Sequence, residues 1–210
     1  MAIRRGKFIV FEGIDGSGKT TQLQNAKEWW ESAGCNCMVT REPSDGEAGK
    51  LIRQYLAGKL TGADSHYLAA LFAADRLDHI LKQNGMLEFL NANPKNVILC
   101  DRYYLSNYAY QSVDVDLDWL IAVNSVSAQI CKPDCHIYID VTPETAFERI
   151  KTRGNTELFE KYERLKSTAE NYLKTIEKLP EENIIIINGE NNCKTVCDDI
   201  EQIFERMINV

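Results

Sequence analysis

One octapeptide limits what this chain can fold into more than any other feature. Gly13-Ile14-Asp15-Gly16-Ser17-Gly18-Lys19-Thr20 matches G-x-x-x-x-G-K-[ST] at every fixed position. An apolar run, KFIVFE at Lys7–Glu12, precedes it, and a segment with helical spacing follows it. The context therefore reads strand, tight loop, helix. Glycines let backbone N–H groups curl around a phosphate without Cβ clashes. The helix behind the loop adds the positive end of its dipole. Lys19 is placed to reach β- and γ-phosphates as a point charge, and Thr20 to ligate Mg²⁺. Residues 13–21, ending in Thr21, form the candidate triphosphate site, with a nucleoside triphosphate and Mg²⁺ as the expected ligands.

Four more apolar runs follow: NCMVT at 36–40, NVILCD at Asn96–Asp101, CHIYID at Cys135–Asp140 and NIIIIN at 183–188. Four of the five runs are nearly continuous, as suits strands covered on both faces in a parallel sheet. Segments of 20 to 55 residues with helical periodicity separate them. The expected fold is α/β, a doubly wound five-stranded parallel sheet flanked by helices, in one domain spanning 1–210. A helix should begin near Gly18 and stop near Gly34, a natural C′ residue. Thr142-Pro143-Glu144 reads as a cap with Pro at the first helical position. Residues 158–176 have charges spaced for surface pairs and predict a long helix, and a last helix spans about 194–207. The irregular stretches are 43–49 (PSDGEAG) and 152–157 (TRGNTE), both expected to be mobile loops.

Charge narrows the partners. There are 24 Lys and Arg against 31 Asp and Glu, a net −7. A duplex-binding protein usually shows a basic surplus, so nucleic acid is not the expected partner. The apolar runs are too short to cross a bilayer, and Glu12 ends the first one early, so a cytoplasmic protein without a secretory signal is expected. The seven cysteines lack paired zinc spacing and predict free thiols.

The acceptor of the phosphoryl group is the next question. No Asn is followed by Lys, which removes the guanine-reading Asn-Lys-x-Asp of a Ras-type GTPase. The third strand ends Asp101-Arg102, with a cation where a hydrolase places a water-orienting carboxylate. A kinase for an alcohol needs a base. A kinase for a nucleoside monophosphate needs cations, because its nucleophile is already anionic and two phosphate groups must be held in line. Arg41, Arg102, Arg149 and Arg153 are the candidates, with Arg41 and Arg102 at C-terminal strand ends, where open α/β sheets bind ligands.

FEGIDGSGKTTQ at 11–22, TREP at 40–43, LFAADR at 71–76, DRYYLSNYAYQ at 101–111, KPD at 132–134, IDVTPE at 139–144 and RIKTRG at 149–154 stand in one order. In this the chain resembles the bacterial-type thymidylate kinases, ATP-dependent dTMP kinases of nucleotide biosynthesis, over residues 6 to 205. The resemblance implies that Asp15 faces the acceptor sugar. It implies that Arg41 and Arg102 hold the acceptor phosphate, and that Asp101 supports Mg²⁺ or positions Arg102. Phe72 would stack on thymine and Arg76 bond its exocyclic oxygen. Asn107, Tyr110 and Gln111 resemble base- and sugar-reading positions, with Tyr110 excluding a 2′-hydroxyl. Gly16 stands where some relatives carry a catalytic Arg. The resemblance therefore places that Arg in a lid at about 149–160, with Arg153 the better match and Arg149 the alternative. Lys19, Arg102 and Arg153 are the implied catalytic residues, ATP and Mg²⁺ the implied co-substrate and metal, and a homodimer the implied assembly. Pro43-Ser44-Asp45-Gly46 departs from the family's Pro-Gly-Gly turn. His66, Tyr67 and Trp29-Trp30 match nothing in the family and are expected to pack. Two other readings are a P-loop kinase for another monophosphate or a deoxynucleoside, and a catalytically silent nucleotide switch.

Overall fold

The computed structural model describes residues 5–151 and 158–208, apart from the side chains of 151 and 158–161. The five strands are β1 (Lys7–Glu12), β2 (Asn36–Arg41), β3 (Asn96–Asp101), β4 (Cys135–Asp140) and β5 (Ile184–Asn188). All pair in parallel, in the order β2-β3-β1-β4-β5. The strand that feeds the Gly-rich loop is thus the central one. The chain winds outward from it in both directions, which opens a crevice at its C-terminal end.

The described helices are α1 (Lys19–Ser32), α2 (Glu47–Leu56), α3 (Ser65–Leu81), α4 (Met86–Ala92), α5 (Tyr104–Gln111), α6 (Leu117–Ile130), α7 (Pro143–Lys151), α8 (Leu158–Lys178) and α9 (Cys193–Ile208). Alternation along each strand divides the core. Phe8 and Val10 of β1 face α3, α4, α5, α6 and α8, whereas Ile9 and Phe11 face α1 and α9. Both faces are covered, so these strands carry apolar residues at successive positions. On the edge strand β5 the cover runs out, and Ile186 is half exposed.

Local signals hold. Thr142 Oγ1 accepts from the Thr145 N–H at 3.2 Å, capping α7. Gly34 takes φ 79°, and the amide after it, Cys35 N–H, closes onto Trp30 O at 3.1 Å, ending α1. All seven cysteines are free. Trp29 and Trp30 pack against Phe204 at 5.3 and 5.4 Å, as expected of core residues.

One expectation needs correction. Residues 43–49 are not a mobile loop. Glu47 already begins α2, and the remainder is tied down. Asp75 accepts from Ser44 N–H and Ser44 O–H at 2.6 and 2.7 Å, and Arg53 donates to the carbonyls of Pro43 and Ser44 at 2.8 and 2.6 Å. A polar stretch is held rigid when distant side chains satisfy its backbone. His66 and Tyr67 do pack, though at the surface: both are exposed and meet Trp119 and Tyr55 edge-on. The other irregular stretch, 152–157, lies outside the described residues, and Arg153 with it.

Candidate active site

The Gly-rich loop leaves β1 and enters α1 at the C-terminal edge of the sheet. Gly16 has φ 85°, and a Cβ there would stand 2.5 Å from the Ala146 carbonyl. Glycine is therefore required, and the loop backbone stays bare enough to meet a phosphate. Lys19, the first residue of α1, folds back into the loop. Its Nζ donates to Gly13 O at 3.0 Å, Ile14 O at 2.9 Å and Ser17 Oγ at 3.4 Å. Burial, then the nearby Arg102 cation, bring its amine down to about 7. Ser17 is buried, whereas Gly18, Thr20 and Thr21 are exposed.

Arg102 organises the centre. It follows β3 at φ 71°, a left-handed conformation that costs a non-glycine residue about 1–3 kcal/mol. Its amide donates to Phe11 O at 2.9 Å, which ties that turn to β1. Nη1 points inward, to Gly13 O at 3.0 Å, Ser106 Oγ at 3.1 Å and Tyr172 OH at 3.3 Å. Nη2 points outward, to Asp15 Oδ1 at 2.5 Å and Tyr110 OH at 2.9 Å. The guanidinium carbon lies 4.7 Å from the Tyr110 ring centroid. Desolvation works against the Asp15 anion, but Arg102 and Lys19 outweigh it and hold its carboxyl below the usual range.

Beneath this group lies a carboxylate that the sequence reading treated only as the end of an apolar run. Glu12 is fully buried. It accepts from Tyr103 N–H at 2.9 Å, Ser106 O–H at 2.5 Å and Tyr172 O–H at 3.0 Å. Burial pushes its carboxyl up to about 7, with those hydrogen bonds and Arg102 opposing. A lone acid closing an otherwise apolar strand was the available signal.

A second constellation joins α3, α5 and α6. Arg76 is 1% exposed. Its Nη2 pairs with Glu42 Oε2 at 2.7 Å, Nη1 donates to Asn124 Oδ1, and the guanidinium lies 5.1 Å from the Tyr103 ring. Asn124 in turn donates to Asn107 Oδ1 at 2.9 Å, and Asn107 donates to Gln111 Oε1 at 3.0 Å. The structure therefore links Arg76, Asn107 and Gln111 through Asn124, a residue sequence reasoning missed. Its signal was a polar position within the apolar helix α6. Phe72 is half-buried one turn before Arg76 on α3. Arg76→Ala should leave Glu42 buried without its cation. We expect a loss of about 3–5 kcal/mol in denaturant unfolding, largely restored in Arg76→Met/Glu42→Leu.

The remaining cations are dispersed. Arg41 is exposed at the end of β2 and pairs with Asp45 at 3.4 Å rather than joining the Arg102 group. Arg149 reaches the loop from α7, donating to Gly16 O at 3.4 Å and Gly189 O at 3.1 Å. Asp101, at the end of β3, keeps a buried Oδ1 without a hydrogen-bond partner. Together with the exposed Thr20 hydroxyl it offers the hard oxygen donors that Mg²⁺ takes. Among the described residues no three His, Cys, Asp or Glu side chains could hold a metal alone. No described helix is long and apolar enough to cross a membrane.

A family model described as thymidylate kinase matches residues 11–200. The probable thymidylate kinase of Pyrococcus horikoshii is 41% identical over 93% of this chain and 94% of its own length. That of Methanococcus aeolicus is 38% identical, over 97% and 96%. The thymidylate kinase of Caldicellulosiruptor saccharolyticus is 37% identical over 73% of each chain.

Proposed function

The chain belongs to the thymidylate kinase family and is a phosphotransferase that converts dTMP to dTDP; from that premise we propose the roles of its side chains, with ATP as the phosphoryl donor. The observation that carries this reading is the outward Nη2 of Arg102, set beside the Gly-rich loop and met by Asp15 and Tyr110. An acceptor whose nucleophile is a phosphate oxygen needs such a cation and no base.

The loop amides of residues 13–21 and Lys19 hold the ATP phosphates, and Arg149 serves the same ligand from the α7 side. Thr20 and Asp101 would hold Mg²⁺, which would supply positive charge to offset that of the phosphates. The dTMP phosphate takes the Nη2 side of Arg102 and displaces the Asp15 carboxylate, which then turns to the sugar hydroxyl. Arg41 adds a second cation by leaving Asp45. Phe72 stacks on thymine. Arg76, Asn107 and Gln111 read its edge, since each terminal guanidinium nitrogen retains a second N–H beyond those already engaged. Tyr110 underlies the sugar and excludes a 2′-hydroxyl. Arg153 closes over the transferring group. The protein works in the cytoplasm as a homodimer, and the exposed Trp119, Val126 and Ile130 of α6 are the surface offered for pairing.

A coupled ADP-release assay across the nucleoside monophosphates and deoxynucleosides, with ATP and Mg²⁺, tests the assignment. dTMP should lead every other acceptor by at least about tenfold in kcat/KM, the discrimination expected of buried polar contacts. Arg102→Ala should raise the KM for dTMP by about 10–100-fold, as for loss of hydrogen bonds to a charged group, and leave that for ATP nearly unchanged. A deoxynucleoside or another monophosphate leading the series would replace the acceptor, and absent turnover with every acceptor would favour a silent nucleotide switch.

A further inference from the structure

Tyr172 stands on α8, outside every motif that carries the family resemblance. Its side chain is fully buried. The ring packs 5.0 Å from Tyr138 and 6.3 Å, edge-on, from Tyr110. Phenylalanine would fill that space equally well, so packing does not account for the hydroxyl. The hydroxyl instead lies where β1, the Arg102 turn and α5 meet. It accepts from Arg102 Nη1 at 3.3 Å and donates to Glu12 Oε2 at 3.0 Å, with Ser106 Oγ at 2.7 Å and Gly13 O at 3.5 Å.

The directions of these bonds are constrained. A guanidinium only donates, so both hydroxyls accept from Arg102, and each has one proton to give to Glu12 or to the other hydroxyl; together they relay Nη1 to the carboxylate. Ser106 bridges the same two groups, at 3.1 and 2.5 Å. Two hydroxyls thus connect the inward nitrogen of Arg102 to one buried carboxylate. The outward nitrogen is left to Tyr110 and to Asp15, which is 62% exposed. Arginine loses considerable rotamer freedom when fixed, and Arg102 also holds a disfavoured backbone conformation. Such a group keeps one orientation only where several neighbours determine it.

We propose that Tyr172 is a positioning residue for phosphoryl transfer: its hydroxyl anchors Nη1 of Arg102 to Glu12 so that Nη2 faces the acceptor phosphate. The inference rests on the reading of Arg102 as the acceptor-phosphate cation, and its test separates the two.

Tyr172→Phe keeps the ring and removes the anchor. The KM for dTMP should rise about tenfold, as for one hydrogen bond to a charged group, with the KM for ATP unchanged. In an Arg102→Ala background the same substitution should change the dTMP KM no further, which a general structural defect would not reproduce. An unaltered dTMP KM in Tyr172→Phe, or an equal rise in both backgrounds, overturns the proposal. An unaltered dTMP KM in Arg102→Ala overturns the reading of Arg102 itself. Should Tyr172→Phe fail to fold by circular dichroism, Ser106→Ala removes the parallel arm from the same nitrogen. A rise in dTMP KM that vanishes without Arg102 supports the anchor there, and an unchanged value overturns it.

Discussion

Lys19→Ala is expected to lower kcat by about 10²–10³ while the protein remains folded. The magnitude is that of removing one preorganised charge from a developing transition state. In the ligand-free protein Lys19 Nζ touches only neutral oxygens, those of Gly13, Ile14 and Ser17. Its removal therefore strands no carboxylate in direct contact, and circular dichroism should be unchanged. The amine also gives the reaction a proton signature. Burial and Arg102 hold it near 7 before ligands arrive. Triphosphate oxygens favour the ammonium form, so ATP binding must raise its pKa towards the usual value near 10.4. A group whose pKa rises on binding takes up protons between its two pKa values. Uptake should therefore grow as pH rises from below the ligand-free value towards the ligand-bound one. Calorimetry in buffers of different ionisation enthalpy reads this directly, and in Lys19→Ala the Lys19 share of the uptake should disappear. A folded Lys19→Ala protein with near-normal turnover would refute the assignment.

The inner strands β1, β3 and β4 were legible to within a residue because strands covered on both faces carry apolar residues at successive positions, which turns and surface helices do not imitate. β2 extends one residue beyond its apolar run because Arg41 still pairs in register with Asp101 of β3. Backbone pairing, not side-chain chemistry, sets that end. The Gly-rich loop was legible for a similar reason: its chemistry is local, and all its parts lie within eight residues.

What escaped the sequence is built from distant positions. Glu12 and Tyr172 lie 160 residues apart, and Asn124 and Arg76 lie 48 apart. A tyrosine on the buried stripe of an amphipathic helix has the pattern of a packing residue, and only the fold reveals a carboxylate above its hydroxyl. The 43–49 stretch misled for the same reason. Its composition is that of a loose loop, and the side chains that hold it, Asp75 and Arg53, come from α3 and α2. Arg76 shows a subtler limit. Its place in LFAADR suggests an arginine open to a base, yet its guanidinium is already engaged by Glu42 and Asn124. The apparent ligand-reading arginine also holds three elements of the core together.

Arg153→Ala should lower kcat by at least about 10² while dTMP binding, measured by calorimetry, changes little. Two particulars of the structure make this the expected outcome. Gly16 cannot be replaced by a catalytic arginine in this chain, since even a Cβ would meet the Ala146 carbonyl. Arg149 already donates to the carbonyls of Gly16 and Gly189, contacts it would have to leave to meet a transferring group. Lys19 and Mg²⁺ would then face the charge on the transferring group without a side-chain partner unless Arg153 supplies one. Arginines in that role contribute about 10³–10⁵ in rate. Because the fork of a guanidinium bridges two phosphate oxygens and an ammonium does not, Arg153→Lys should recover only part of the loss. A large loss in Arg149→Ala with almost none in Arg153→Ala would transfer the role to Arg149, with its Gly16 contact as the starting position. If kcat is insensitive to both, the charge is met without a lid arginine, and Arg102 becomes the cation to examine on both sides of the transferred group.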